Sequence, residues 1–230
     1  VIAEETSVSS NTGRSQTDTV GVAVLEAGLL RGQALGSAAM VTAAQLAEAA
    51  SAPVYRAIGQ SGSVTVTAKQ AGNPIRVTYS SPITNAVVML TGSYQSGDPY
   101  TLRVVARDDT GFSFVIEEWE YQNKIRMKTE TIQWVAIAAG VHQLADGRLV
   151  EVGTVEADTS ASAVTFKAGF ASAPVVVTSV MSNRDTKTVD SSPTAITRNG
   201  FSVGLQVEKG QAQTHAKETV GYIAVAPGAS

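Results

Sequence analysis

The chain contains no cysteine and only two histidines in 230 residues. It can therefore form no disulfide or thiolate, and two histidines alone supply no zinc site of the usual His/Cys kind. No apolar run approaches the roughly 18 to 20 residues that a membrane helix needs. Lysine and arginine number 17 against 20 acidic residues and form no basic stripe. We expect no metal, no cofactor, no membrane insertion and no nucleic-acid partner.

Motifs of catalytic sites are also missing. The sequence has no Gly-rich phosphate loop, no nucleophile elbow and no HExxH. The run Glu117-Glu118-Trp119-Glu120 could offer the acid and base of a glycosidase. However, Glu117 and Glu118 would point to opposite faces of a strand, and Glu118 and Glu120 are too close along one strand to flank a scissile bond. We therefore expect no enzymatic activity. Of the histidines, His215 is interpreted as a surface residue in preference to a pH-sensitive or sugar-contacting one.

What the sequence does contain is a repeated strand-like unit. Residues 217–228 (KETVGYIAVAPG) resemble residues 129–140 (TETIQWVAIAAG), and residues 18–28 (DTVGVAVLEAG) resemble both. A Gly-Phe-Ser turn precedes the Glu-Thr pair by 19 residues in the middle copy and by 18 in the last. Such periodic similarity indicates a duplicated structural unit.

The repeats have the composition of antiparallel strands. Short runs of Val, Ile, Thr, Phe and Tyr alternate with Gly, Asn, Asp and Pro turns. Residues 112–119 alternate imperfectly between apolar and polar, which predicts a strand with one face on a core. Several such strands in each repeat predict an all-β protein with two tandem β-sandwiches, over residues 61–140 and 141–230.

The first 60 residues are predicted to differ from the rest. Residues 1–28 match the tail of a third repeat and predict a hairpin. Because two strands alone are marginal in water, its apolar face should be covered by another protomer or by the rest of a longer protein. Residues 29–60 are rich in alanine, and Thr42 to Gln45 have capping-box spacing. They predict a linker with a short helix over 43–50 that ends before Pro53.

Aromatic and basic side chains concentrate in the middle repeat. They are Tyr94, Tyr100, Arg103, Arg107, Trp119, Tyr121, Lys124, Arg126, Lys128 and Trp134. Sugars are bound by aromatic faces together with charged hydrogen-bonding groups, so this cluster is a candidate binding site. Trp134 lies in an apolar strand and aligns with Tyr222, which indicates a core or interface role. Trp119 stands among charges where the last repeat has Glu208, which favours ligand contact.

The middle repeat resembles the H-type lectins, the fold of the snail agglutinins that recognise N-acetylgalactosamine. The matching stretches occur in the family's order: 77–82 (VTYSSP), 87–90 (VVML), 102–107 (LRVVAR), 110–112 (TGF), Trp119 and 131–137 (TIQWVAI). The resemblance covers residues 61–140 well and 150–228 more weakly. It implies a six-stranded antiparallel sandwich for each repeat, a homotrimer, and sugar sites at the seams between protomers. The tandem form is similar to repeats of bacterial secreted proteins and of phage or gene-transfer particle spikes.

The resemblance also assigns site residues. It places the site arginine on Arg103 and the site tryptophan on Trp119. Glu120 stands where the family often has histidine, and Lys128 stands where it has an aromatic residue, for which Tyr121 is the substitute. The predicted carbohydrate-binding set is therefore Arg103, Trp119, Glu120, Tyr121 and Lys128. These departures favour a glycan other than galactosamine, such as a cell-envelope or capsular polysaccharide.

These observations lead to one expected function and one alternative. We expect a non-enzymatic carbohydrate-binding module of a trimeric surface spike or adhesin, extracellular or on a virion, that attaches to a cell-surface glycan. The alternative is a structural fibre or virion decoration segment that binds no sugar. The last repeat lacks the Arg/Trp pair and is expected to act as a spacer or a trimerising sandwich.

Overall fold

The computed structural model describes residues 56–95, 99–119, 128–208 and 214–228, together with the backbone of residues 16–18. Within these ranges all regular structure is β, which confirms the all-β prediction. The strands are β1 (Gln16–Asp18), β2 (Gly59–Val66), β3 (Ile75–Thr78), β4 (Ala86–Gly92), β5 (Tyr100–Asp108), β6 (Gly111–Glu118), β7 (Glu130–Ala138), β8 (Gly140–Gln143), β9 (Leu149–Ala157), β10 (Ser162–Thr165), β11 (Val175–Val180), β12 (Val189–Thr197), β13 (Gly200–Val207) and β14 (Glu218–Val225). The predicted linker helix and, apart from β1, the predicted hairpin lie outside the described residues.

The strands form four antiparallel sheets in two matching pairs. The first pair has the orders β1-β2-β7-β4 and β3-β6-β5. The second has the orders β11-β14-β9-β8 and β10-β13-β12. Strands β2 to β7 therefore occupy the same relative places as β9 to β14, six strands in each repeat. The extra edge strands β1 and β8 pair with the equivalent strands β2 and β9. The domain boundaries given above stay predictions.

Each pair of sheets encloses an aromatic core. In the first, Trp134 of β7 meets Phe112 of β6 edge-on, with ring centroids 5.6 Å apart. In the second, Tyr222 of β14 meets Phe201 of β13 in the same way at 5.3 Å. Trp134 and Tyr222 are both the fifth residue of their strands, and both are buried. This confirms the alignment of the two repeats and the core role of Trp134.

The two sandwiches pack against each other through outward sheet faces. Ile223 of β14 and Val152 of β9, whose side chains alternate with those of the second core, are buried against the first sandwich. At Gly221 the approach is so close that a Cβ would overlap the Met181 sulfur and lie 2.8 Å from Val87 Cγ1. Gly221 thus lets β14 pack closely on Val87 of the first sandwich, and a larger residue would have to displace the Val87 and Met181 side chains.

Candidate functional site

Arg103, the predicted site arginine, is fully buried where the two sandwiches meet. Its Nη2 donates to Glu117 Oε1 on the neighbouring strand β6 at 2.5 Å. Its Nη1 donates to the Asp185 carbonyl at 3.1 Å and lies 3.6 Å from Glu218 Oε1. Asp185 and Glu218 belong to the second repeat, so the guanidinium joins the two sandwiches. In this arrangement the side chain is an anchor of the junction and presents no surface to a sugar.

Trp119 lies at the rim of the same junction. It is the first residue after β6 and is half-buried. The carbonyl of Glu118, directly before it, accepts a hydrogen bond of 2.8 Å from the Thr188 hydroxyl of the second repeat. Glu208, the first residue after β13, holds the corresponding place in the second sandwich and is also half-buried. The aromatic side chain thus occurs in one copy only, as the sequence alignment predicts.

Of the other three predicted site residues, the structure describes only Lys128. Lys128 is exposed and lies two residues before β7. Glu120 and Tyr121 lie outside the described residues. Of the five predicted residues, the structure therefore brings Arg103 and Trp119 to one junction, the first buried within it and the second at its edge.

The glutamate of the repeated Glu-Thr pair is a buried structural group. In the first sandwich Glu130 is fully buried. Its Oε2 accepts hydrogen bonds from the Ser93 hydroxyl at 2.6 Å, the Gln95 N–H at 3.0 Å and the Tyr100 hydroxyl at 3.3 Å. The Ser93 oxygen in turn accepts the Thr131 N–H at 3.0 Å. The carboxylate therefore fastens the segment after β4 to the start of β7.

Glu218 has the same function in the second sandwich. It is fully buried and accepts hydrogen bonds from the Ser182 hydroxyl and from the Arg184 and Asp185 N–H groups, the last two at 2.8 and 3.1 Å. The Ser182 oxygen accepts the Thr219 N–H at 2.7 Å. This role was not predicted from the sequence. The signal was present, because both matching strands open with a charged residue and continue with apolar ones.

An aromatic stack with one exposed ring lies next to the Glu130 carboxylate. Its two tyrosines belong to the aromatic cluster of the middle repeat, but the sequence did not show that they pair. Tyr94 follows β4, is 50% exposed, and stacks on Tyr100 of β5 with centroids 4.4 Å apart and planes tilted by 16°. Burial raises the pKa of Tyr100 to about 12 against the smaller opposing influence of the Tyr94 N–H, and the Glu130 charge raises it further. Burial also raises the pKa of Tyr94, as do the negative charges of Asp190 and Glu130. Asp190 lies on β12, so this stack also faces the second sandwich.

His215 is buried, which corrects its interpretation as a surface residue. Its Nδ1 lies 2.7 Å from the Ala216 carbonyl oxygen and its Nε2 lies 3.0 Å from the Lys187 carbonyl oxygen. The ring thus lies between the chain entering β14 and the loop that precedes β12. The same loop contains Asp185, which contacts Arg103. Sequence reasoning missed this because the polar neighbours of His215 are typical of an exposed segment.

Within the described ranges, no group of three or more His, Asp or Glu side chains is arranged to hold a metal ion. Nor do these ranges contain a helix long and apolar enough to cross a membrane.

No family model, curated protein or solved structure matches this chain. The relation to the H-type lectins accordingly stays a resemblance carried by the residues quoted above.

Proposed function

We propose that this chain is a non-enzymatic carbohydrate-binding module of a trimeric, extracellular or virion-surface spike or adhesin that attaches to a cell-surface glycan. The observation that carries the proposal is Trp119, a half-buried tryptophan at the rim where the two sandwiches meet. Its counterpart in the other repeat is a glutamate, so the fold itself does not require an aromatic residue there. An indole with one side accessible is suited to the apolar face of a sugar ring.

Arg103 has a supporting role in this function. Since its guanidinium is committed to Glu117, Glu218 and the Asp185 carbonyl, it supports the junction from beneath. Direct contacts with sugar then come from the rim, where Trp119 supplies the stacking surface. Lys128 belongs to the proposed site as an exposed donor to sugar hydroxyls.

The finer architecture is part of the same proposal. Each repeat is an H-type lectin-like sandwich, preceded in the chain by the hairpin and short helix predicted from residues 1–60. A shallow rim site binds one sugar weakly, and a trimer compensates by presenting several sites at once.

The experiment is a glycan array that includes capsular and cell-envelope polysaccharides, with sedimentation analysis of the same samples. We expect the wild type to sediment as a trimer and to bind a subset of glycans, and Trp119→Ala to lose that binding while remaining trimeric. Glu208→Ala, at the equivalent place in the other sandwich, is the matched control and should bind like the wild type. Equal binding by wild type and Trp119→Ala would refute the site assignment.

A second candidate is a structural fibre or decoration segment without sugar binding. The buried Arg103–Glu218 contact favours it, because the residue that the resemblance assigns to sugar instead joins the two sandwiches. This function predicts a trimer that binds nothing on the array. A wild-type trimer without any glycan signal would therefore select this candidate over the first.

A further inference from the structure

Tyr94 has the geometry of a fixed stacking surface. One face of its ring lies on Tyr100 at 4.4 Å, while half of the side chain stays exposed. Apart from Tyr94, the large hydrophobic side chains exposed in the described ranges are aliphatic. An aromatic ring that is covered on one side and open on the other offers a flat apolar surface to a ligand.

The backbone conformation of Tyr94 and the side chains of Tyr100 and Glu130 hold this ring in place. Tyr94 has φ of +50°, a left-handed conformation that bulky side chains rarely adopt. Such strain persists only where surrounding contacts impose it, and it is concentrated at functional sites. Here the Tyr94 N–H donates to the Tyr100 hydroxyl at 3.3 Å, and that hydroxyl donates to the buried Glu130 at 3.3 Å. Gly92 makes room for this hydroxyl, because a Cβ at that position would overlap it.

The second sandwich contributes a carboxylate on a strand that begins next to the tyrosine stack. The Thr188 hydroxyl, just before β12, bonds to the Glu118 carbonyl, and Glu118 pairs with Tyr100. Asp190 is exposed on β12, and its negative charge acts on the Tyr94 hydroxyl. Among the described residues, its carboxylate receives one hydrogen bond, from the Ser191 N–H at 2.7 Å. A carboxylate can accept several hydrogen bonds, so capacity for ligand hydroxyls remains. Asp190 also lies two residues after Thr188, whose hydroxyl is bonded to the carbonyl before Trp119.

We infer that Tyr94 and Asp190 form a second sugar subsite at the junction, in which a sugar ring stacks on Tyr94 and its hydroxyls donate to Asp190. The inference rests on the proposed glycan binding and deepens it. Since Asp190 and Glu130 both place negative charge near the ring, the subsite takes an uncharged or amino sugar and disfavours a uronic or other acidic sugar.

The second repeat lacks this arrangement. By strand register Val189 corresponds to Tyr100, because each pairs with the last residue of its neighbouring strand, Val207 and Glu118 respectively. Without an aromatic layer at that position there is no stack to support an exposed ring. Like the Trp119 rim, the subsite is therefore specific to the first repeat, and each chain has one.

The test compares variants on an array of neutral, amino and acidic oligosaccharides, with methyl glycosides as free competitors. We expect Tyr94→Ala to weaken binding by about tenfold or more, and Tyr94→Phe, which keeps the ring, to stay within about twofold of the wild type. Tyr94→Leu keeps an apolar cover on Tyr100 without a flat ring, and we expect the same loss as for alanine. Val141→Ala changes an exposed side chain on β8 and is the control that should have no effect.

Charge specificity provides an independent measurement. Asp190→Asn should weaken binding of neutral and amino sugars and raise the relative signal of acidic ones. Unchanged binding by Tyr94→Ala and Tyr94→Leu, with loss in Trp119→Ala, overturns the Tyr94 subsite and leaves the proposed function intact. A wild type that binds no glycan refutes the proposed function and the subsite together. A Tyr94→Leu protein with the wild-type thermal midpoint and lost binding excludes a merely structural role.

Discussion

The Arg103 guanidinium of the first sandwich lies 3.6 Å from the Glu218 carboxylate of the second, and neither side chain is exposed. Glu218 is also the residue that fastens the segment after β11 to the start of β14. In the second repeat the duplicated glutamate therefore has two roles. It accepts hydrogen bonds from the loop after β11, and it pairs with the Arg103 guanidinium of the first sandwich. The copy in the first repeat, Glu130, accepts a hydrogen bond from the Tyr100 hydroxyl.

Removing the buried cation should destabilise the protein strongly. Arg103→Ala leaves Glu117 and Glu218 without their cation, and losing one partner of a buried ion pair costs about 3–5 kcal/mol. Arg103→Lys keeps the positive charge but not the planar guanidinium with its several donors. We therefore expect a loss of stability smaller than that of Arg103→Ala. The free energy of unfolding in urea measures both.

The matched control for Arg103 is Arg148→Ala. Arg148 pairs with Asp146 at 2.7 Å, and both side chains are well exposed. Exposed pairs contribute about 0–1 kcal/mol, so this change should have little effect. If Arg103→Ala and Arg148→Ala lost similar amounts of unfolding free energy, the Arg103 ion pairs at the junction would not be the stabilising contacts described here.

The close approach of the sandwiches at Gly221 can be tested with one methyl group. Gly221→Ala places a Cβ against Met181 and Val87, and we expect overpacking to cost about 1–3 kcal/mol. Gly169→Ala is the control, because no atom lies within 4 Å of the added methyl. Thermal unfolding of both variants is the measurement. A Gly221→Ala protein as stable as Gly169→Ala would show that the interface can relax freely.

The repeats and their strands could be predicted from composition and alignment, because strand periodicity is local. The core position of Trp134 followed from the apolar strand around it. The burial of Arg103 could not be predicted, because it depends on Glu218 and Asp185, more than 80 residues away, and on how two sandwiches pack. A resemblance to a family that forms trimers of separate protomers gives no information about contacts between two repeats of one chain.

The roles of Glu130 and Tyr94 escaped prediction for different reasons. Sequence shows that a glutamate is repeated, but whether it faces solvent or core depends on which donors surround it. Tyr94 follows a strand and precedes polar residues, which is typical of an ordinary loop. Its left-handed φ and its stacking on Tyr100 arise only when β4 and β5 meet.

Acid should weaken the junction through Asp185. The Lys187 and Ala216 N–H groups, followed by the electrostatic influence of His215 and Lys187, hold the pKa of the Asp185 carboxyl below its ordinary value, against a smaller effect of burial. A lowered folded-state pKa means that the stabilisation is complete above the unfolded value of about 3.9 and is lost as the pH falls below it. Asp185→Asn should therefore be less stable than the wild type at pH 7.

The pH dependence separates charge from packing in this variant. The stability difference between Asp185→Asn and the wild type should shrink as the pH falls below the unfolded value of about 3.9 and the wild-type carboxyl takes up a proton. Unfolding in urea at several pH values gives this difference directly. A difference that stays constant down to pH 2.5 would mean that the carboxylate charge contributes nothing.

The carboxylate of Glu130 should support both the fold and the proposed binding surface. Glu130→Gln keeps the size of the side chain but turns an amide NH₂ toward donors from Ser93, Gln95 and Tyr100. A buried donor left without a partner costs about 1–3 kcal/mol. We expect a loss of that size in urea unfolding, together with weakened glycan binding while the far-UV circular dichroism stays that of the wild type. Glu156→Gln, which changes an exposed carboxylate, should alter neither property by more than about 1 kcal/mol. Normal binding by Glu130→Gln would show that the tyrosine stack does not depend on the carboxylate beneath it.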